Sequence, residues 1–127
     1  MMAVSPAGEA HGPVLLVDDD EDILDGLSEL LKIYGFEVVT ARNGAEALAH
    51  ARARRPCMVL LDLMMPIMSG QEFRQKQAAD PGLASIPVIV VTAARPSRGE
   101  LARLAAEDCF LKPVDTERLL SAVRRLC

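Results

Sequence analysis

Short runs of Val, Ile, Leu and Met alternate along this chain with longer stretches in which apolar residues return every three or four positions. The runs "VLLV" (14–17), "EVVTA" (37–41), "MVLLD" (58–62), "VIVVT" (88–92) and "CFL" (109–111) read as strands, because β-branched and aliphatic residues cluster there between polar, Gly or Pro breaks. Three of the first four are apolar almost throughout instead of alternating. A strand wetted on one side alternates, whereas one that is apolar on both sides is covered on both, as in a parallel sheet between helical layers.

Between the strands the apolar period changes to that of a helix. Ile23, Leu27, Leu30, Leu31 and Tyr34 fall on one face of a first helix, and Gly35 follows where a C-terminal cap needs positive φ. Asn43 predicts the N-cap of a second helix reaching roughly residue 54, with Ala47, Leu48 and Ala51 inward and Pro56 beyond its end. A third helix is expected from Gln71 to Ala79, stopped by "DPG" at 80–82, and a fourth within 97–106. The last, capped by Asp115 or Thr116, presents Leu119, Leu120, Val123 and Leu126. Five successive strand-helix units with right-handed crossovers give an α/β fold with helices on both faces of the sheet.

With 127 residues, 50% of them hydrophobic, this is expected to be a single domain with a sizeable core, spanning 14–127 after a flexible leader, "MMAVSPAGEAHGP", at 1–13. The leader has neither the basic start nor the apolar run of a signal peptide, and no later stretch approaches membrane-spanning length, so a cytoplasmic location and no membrane partner are expected. Fourteen basic against 18 acidic residues, a formal charge of -4, leave no basic patch for a phosphate backbone, which argues against direct nucleic-acid binding. Cys57, Cys109 and Cys127 have neither disulfide-framework nor zinc-ligand spacing and read as separate buried or incidental thiols.

In open α/β sheets, ligands bind beyond the carboxyl ends of the strands. Those ends carry Asp18, Asp19 and Asp20 after the first strand, Asp62 at the third, Thr92 at the fourth and Lys112 after the fifth. Crowded carboxylates raise one another's pKa unless a cation compensates, and a hard divalent ion such as Mg²⁺ is the usual compensator of oxygen ligands. Lys112 offers a second positive charge. Taken singly, "DDDED" at 18–22 reads equally well as helix caps, Asp62 as a turn residue, and Thr92 and Lys112 as an ordinary strand threonine and a solvated lysine. Four strand ends that each carry what one phosphoryl-transfer site needs are a different matter, and point to a site. Glu21 and Asp22 fall in the first turn of a helix, where the macrodipole favours negative charge.

"VLLVDDDEDI", "VLLDLMMPIMSG", "VIVVTAA" and "LKPV", in this order and spacing, resemble the receiver domain of two-component response regulators, the chemotaxis-regulator type of flavodoxin-like fold. The resemblance covers 14–127 and implies a five-stranded parallel sheet in the order 2-1-3-4-5. It also implies that Asp62 is the phosphoacceptor and that Asp18 and Asp19 are the acidic pair for Mg²⁺, Asp19 directly and Asp18 more through water. Met64 would offer the metal its backbone carbonyl, Thr92 would be the switch hydroxyl, and Lys112 would pair with the phosphoryl group. Pro113 matches a Lys-Pro peptide that is often cis, and Pro66 and Gly70 match the loop after the phosphoacceptor. Met64 and Ala94, two positions beyond Asp62 and Thr92, match positions that modulate dephosphorylation.

The resemblance weakens at Cys109, which stands where the family usually has an aromatic; Phe110 is one residue off and faces the other way on a strand.

A carboxylate is a weak but already ionised nucleophile, so such a site needs positioning and charge neutralisation more than a general base. Neither His11, in the leader, nor His50, in the second helix, belongs to the strand-end edge, so the chain reads as the acceptor and not the kinase. The expected partners are a histidine kinase or histidine phosphotransfer protein and a downstream protein effector. The chain would be a monomer or a phosphorylation-dependent dimer, with phosphorylation and dephosphorylation chemistry of its own but no enzyme activity. It would be either a stand-alone regulator or a domain of a longer protein. Two alternatives are a haloacid-dehalogenase-like phosphohydrolase with an Asp nucleophile, which would want an acid where Met64 stands, and a non-phosphorylated receiver-like binding module.

Overall fold

The computed structural model describes residues 12–127, so nearly all of the expected leader, with His11, lies outside the described residues. These form five strands and five helices in strict alternation: β1 (Val14–Val17), α1 (Glu21–Ile33), β2 (Val38–Ala41), α2 (Gly44–Ala53), β3 (Met58–Leu61), α3 (Gly70–Ala79), β4 (Val88–Thr92), α4 (Arg98–Leu104), β5 (Asp108–Leu111) and α5 (Thr116–Leu126). All strand pairs are parallel and the order is β2-β1-β3-β4-β5. This is the flavodoxin-like (βα)5 arrangement that the motifs implied.

The apolar runs are explained by a core on each face. Leu15 and Val17 of β1, with Val59 and Leu61 of β3 and Val88 and Val90 of β4, pack under α2, α3 and α4 around Phe73. Val14, Leu16, Met58, Leu60, Ile89 and Val91 point the other way and pack under α1 and α5. Successive side chains of a strand go to opposite faces, so a strand buried on both sides must be apolar at every position. The edge strands β2 and β5 are only partly buried, and their sequences are correspondingly mixed.

Local sequence sets the helix ends. Asp20 caps α1, accepting from the backbone N–H groups of Asp22 and Ile23, and Gly35 follows at φ 92°. Asn43 caps α2 and Asp115 caps α5, which decides between the two candidates there. Ser69 and Glu72 cap α3 reciprocally, so that helix begins at Gly70, one residue before the expected Gln71. The buried face of α1 is Leu24, Leu27 and Leu31; Tyr34, expected on that face, is the exposed C-cap residue and lies under the Arg124 guanidinium at 5.2 Å. By position 34 the helix has ended, and its period no longer governs the direction of the side chain.

Cys57 and Cys127 do not follow the sequence reading, whereas Cys109 does. Cys57 and Cys127 form a disulfide across a separation of 70 residues, and Cys109 is the free cysteine. Their spacing carried no disulfide signal because the two meet only when α5 folds back against the start of β3. Cys109 packs against the α2–α4 core while Phe110 is buried under α1 and α5, the opposed orientation expected of neighbours on a strand.

Candidate functional site

Strand register assembles the site. Val17 of β1 lies level with Leu61 of β3, so the next residues, Asp18 and Asp62, emerge side by side. The Asp62 N–H donates to Val17 O at 2.9 Å and the Asp18 N–H to Ala41 O at 3.0 Å, which continues the ladder to the rim of the sheet. On the other side Thr92 pairs with Leu111, and the Lys112 N–H donates to Thr92 O at 2.9 Å. The Lys112-Pro113 peptide is cis.

At this rim, carboxylate oxygens of Asp18, Asp19 and Asp62 all lie within 4.8 Å of one another. Lys112 Nζ is 2.7 Å from Asp18 Oδ2 and 3.7 Å from Asp62 Oδ2. The other Asp18 oxygen accepts the Asp20 N–H at 2.9 Å, and the Met64 N–H approaches Asp62 Oδ1 at 3.4 Å. Asp18, Asp62 and Thr92 are buried, whereas Asp19 is exposed. Burial, followed by the Asp18 charge, pushes the Asp62 carboxyl above the ordinary Asp value, against the pull of Lys112 and the Met64 N–H. Burial works against the Lys112 ammonium, but its hydrogen bond to Asp18 and the charges of Asp62, Asp18 and Asp20 outweigh this and hold its pKa above the ordinary lysine value.

The donor set is hard oxygen from three carboxylates on two adjacent strand ends, which suits a divalent cation; one lysine does not balance three acids. The run "DDDED" is thus divided. Asp18 and Asp19 face the rim, Asp20 is the cap, and Glu21 and Asp22 occupy the first helical turn.

The loop from Leu63 to Ser69 borders the carboxylates and, with Asp19 and Gln71, lines a shallow pocket of about 360 Å³. Met64 and Ile67 are 71% and 83% exposed, and Ile67 sits at φ 68°, a rare conformation for a β-branched residue. Gly70 closes the loop: a Cβ there would lie 2.4 Å from Asp62 O and 2.8 Å from Leu63 Cα, so only glycine lets α3 begin this close to the Asp62 backbone. The sequence signals were the S-x-x-E capping box from Ser69 to Glu72 and the glycine inside it. His50 is exposed on α2, away from this rim.

The family model described as "Response regulator receiver domain" matches residues 14–124. The chain belongs to this family. The receiver is 34% identical over 112 residues to Protein PilH of Pseudomonas aeruginosa, covering 87% of this chain and 93% of the relative. It is 33% identical over 114 residues to the polar-differentiation response regulator DivK of Brucella anthropi, covering 87% and 92%. It spans only about half of some longer relatives: the match to the transcriptional regulatory protein PrrA of Mycobacterium tuberculosis is 37% identical over 115 residues and covers 89% of this chain but 48% of that protein. Among solved structures, the chemotaxis protein CheY4 of Vibrio cholerae superposes on the receiver with a TM-score of 0.84 at 32% identity, covering 93% of this chain and all of CheY4.

Proposed function

We propose that Asp62 is the phosphoacceptor of this receiver and takes a phosphoryl group from a histidine kinase or histidine phosphotransfer protein. The observation that carries this reading is a buried carboxylate, Asp62, with an ammonium 3.7 Å away and two further carboxylates within 4.8 Å, at the rim where strand ends open to solvent. An ionised Asp62 oxygen attacks phosphorus in line, the bond from phosphorus to the donor nitrogen breaks, and the donor imidazole leaves with its electron pair. Lys112 holds positive charge beside Asp62, where negative charge spreads over the phosphoryl oxygens. Thr92, buried at the end of β4, supplies a hydroxyl that can donate to a phosphoryl oxygen.

Asp18, Asp19 and Asp62, with the Met64 carbonyl, would hold Mg²⁺, and the chemistry that the ion supplies when bound is neutralisation of the transferring phosphoryl oxygens. The exposed Met64 side chain stands where an Asp-nucleophile phosphohydrolase would need an acid, which favours the acceptor over that alternative. No helix among the described residues is long and apolar enough to cross a membrane, and the receiver is proposed to work in the cytoplasm and to signal through a protein effector.

Incubation with acetyl phosphate and Mg²⁺ tests the assignment. The intact mass should rise by one phosphoryl group in the wild type and stay unchanged in Asp62→Asn. A phosphorylated Asp62→Asn protein would overturn it.

A further inference from the structure

The Cys57–Cys127 bond lies at the end of the sheet opposite the carboxylates. Cys57 directly precedes β3, whose far end carries Asp62, and its N–H donates to Pro13 O at 2.9 Å. Cys127 stands one residue past α5, capped by its own N–H to Val123 O. The bond therefore ties the last turn of α5 to the start of the central strand β3.

Three features distinguish this bond from a staple needed for folding. First, each face of the sheet already has an extensive buried core, and α5 is anchored by Leu119, Leu120, Ala122 and Val123 without it. A domain of this size with such cores does not need a cross-link to fold. Second, both cysteines are only partly buried, packed at the edge of the α1–α5 core and not enclosed within it. Third, Cys109 packs on the opposite face of the sheet, and burial pushes its thiol above the ordinary cysteine pKa, so it is neither placed nor activated to scramble the pair.

We propose that Cys57 and Cys127 form a redox-reversible clasp on the α5 end of the receiver, opened by a dithiol reductant and closed by a disulfide oxidant, with a folded protein in both states. In opening, a reductant thiolate attacks one sulfur, the Sγ–Sγ bond breaks, and a mixed disulfide forms. The second reductant thiol then displaces the remaining protein thiolate. The protein gains two electrons and two protons as two thiols, and the reductant leaves as its own disulfide. Closure is the reverse exchange. Once open, the end of α5 keeps its buried side chains and the Arg124–Tyr34 contact at 5.2 Å. The clasp lies far along β3 from Asp62, so it sets the stability of the α5 end and leaves the phosphoryl chemistry intact.

The experiment compares oxidised wild type, wild type reduced with dithiothreitol, Cys57→Ser and Cys127→Ser. Alkylation and intact mass should count one free thiol in the oxidised protein and three in the reduced one, with equilibration in glutathione redox buffers. The oxidised form should melt about 10–20 °C above the other three, which should coincide as folded proteins. Backbone hydrogen exchange over 116–126 should accelerate at least about tenfold on reduction, while the rate of phosphorylation by acetyl phosphate changes less than about twofold. Failure of the pair to oxidise, resistance to excess dithiothreitol, equal melting of the two forms, unfolding on reduction or unchanged exchange over 116–126 would each overturn the proposal.

Discussion

Replacing Asp62 by Asn should make the metal-free receiver more stable, although it removes the proposed phosphoacceptor. At an effective dielectric constant of about 20, unit charges 4.8 Å apart repel by about 3.5 kcal/mol, and opposite charges 3.7 Å apart attract by about 4.5 kcal/mol. Lys112, at 3.7 Å, thus offsets the Asp18 charge with little to spare. The Asp19 charge, weakened by exposure, and the burial of the carboxylate then act against ionised Asp62. Together they outweigh the roughly 1 kcal/mol of attraction left over, in the direction of the raised Asp62 pKa. Asn has nearly the same shape and keeps an oxygen for the Met64 N–H. The expected gain is about 4–8 °C in melting temperature without divalent ions near neutral pH.

The pH dependence follows from the sign of the shift. A carboxyl whose folded pKa is raised costs stability when it ionises. That cost is fully present above the folded pKa, declines as the pH falls through it, and is gone below the ordinary Asp value of 3.8. The advantage of Asp62→Asn should therefore narrow steadily on acidification. Mg²⁺ should also narrow it, since an ion bound at the three carboxylates would stabilise the wild type more than a variant lacking one of them. Thermal melts of both proteins in EDTA and in Mg²⁺ across the acidic range measure this. A variant melting at or below the wild type in EDTA near neutral pH, or an advantage that does not change with pH, would refute the electrostatic argument.

Asp19→Ala should weaken Mg²⁺ binding, followed by calorimetry or fluorescence, more than Asp20→Ala does. Asp20→Ala should instead cost about 1 kcal/mol of stability through loss of the α1 cap. Gly70→Ala should cost about 1–3 kcal/mol and slow phosphorylation, because its Cβ would meet the Asp62 carbonyl at 2.4 Å and the backbone must move; denaturant melts and acetyl phosphate kinetics measure both effects. Introducing Asn at the exposed Met64 together with Glu at the exposed Ala94 should change the dephosphorylation rate, since neither native side chain can orient a water by a strong hydrogen bond; loss of the phosphorylated mass with time reads it.

The alternation of apolar runs and helical periods was enough to predict five strand-helix units and a sheet covered on both faces. These depend on residues within one helical turn or one strand. Chemistry at the strand ends was legible for the same reason: in a parallel sheet every strand delivers its last residue to one edge, so Asp18, Asp62, Thr92 and Lys112 had to emerge there together. The strand order came from resemblance to a known family and not from periodicity, because a local pattern does not state which strands are neighbours.

Tertiary structure alone decided the finer arrangement. Lys112 lies closer to Asp18 than to Asp62, and the acidic run divides at Asp20 between rim and helix cap. Gly70 is held against the Asp62 carbonyl, Tyr34 turns outward, and Cys57 meets Cys127 across 70 residues. The Lys112–Asp18 and Cys57–Cys127 contacts are distances between elements far apart in the chain. Such distances are set by how the two cores pack, and no stretch of sequence short enough to have its own pattern contains them.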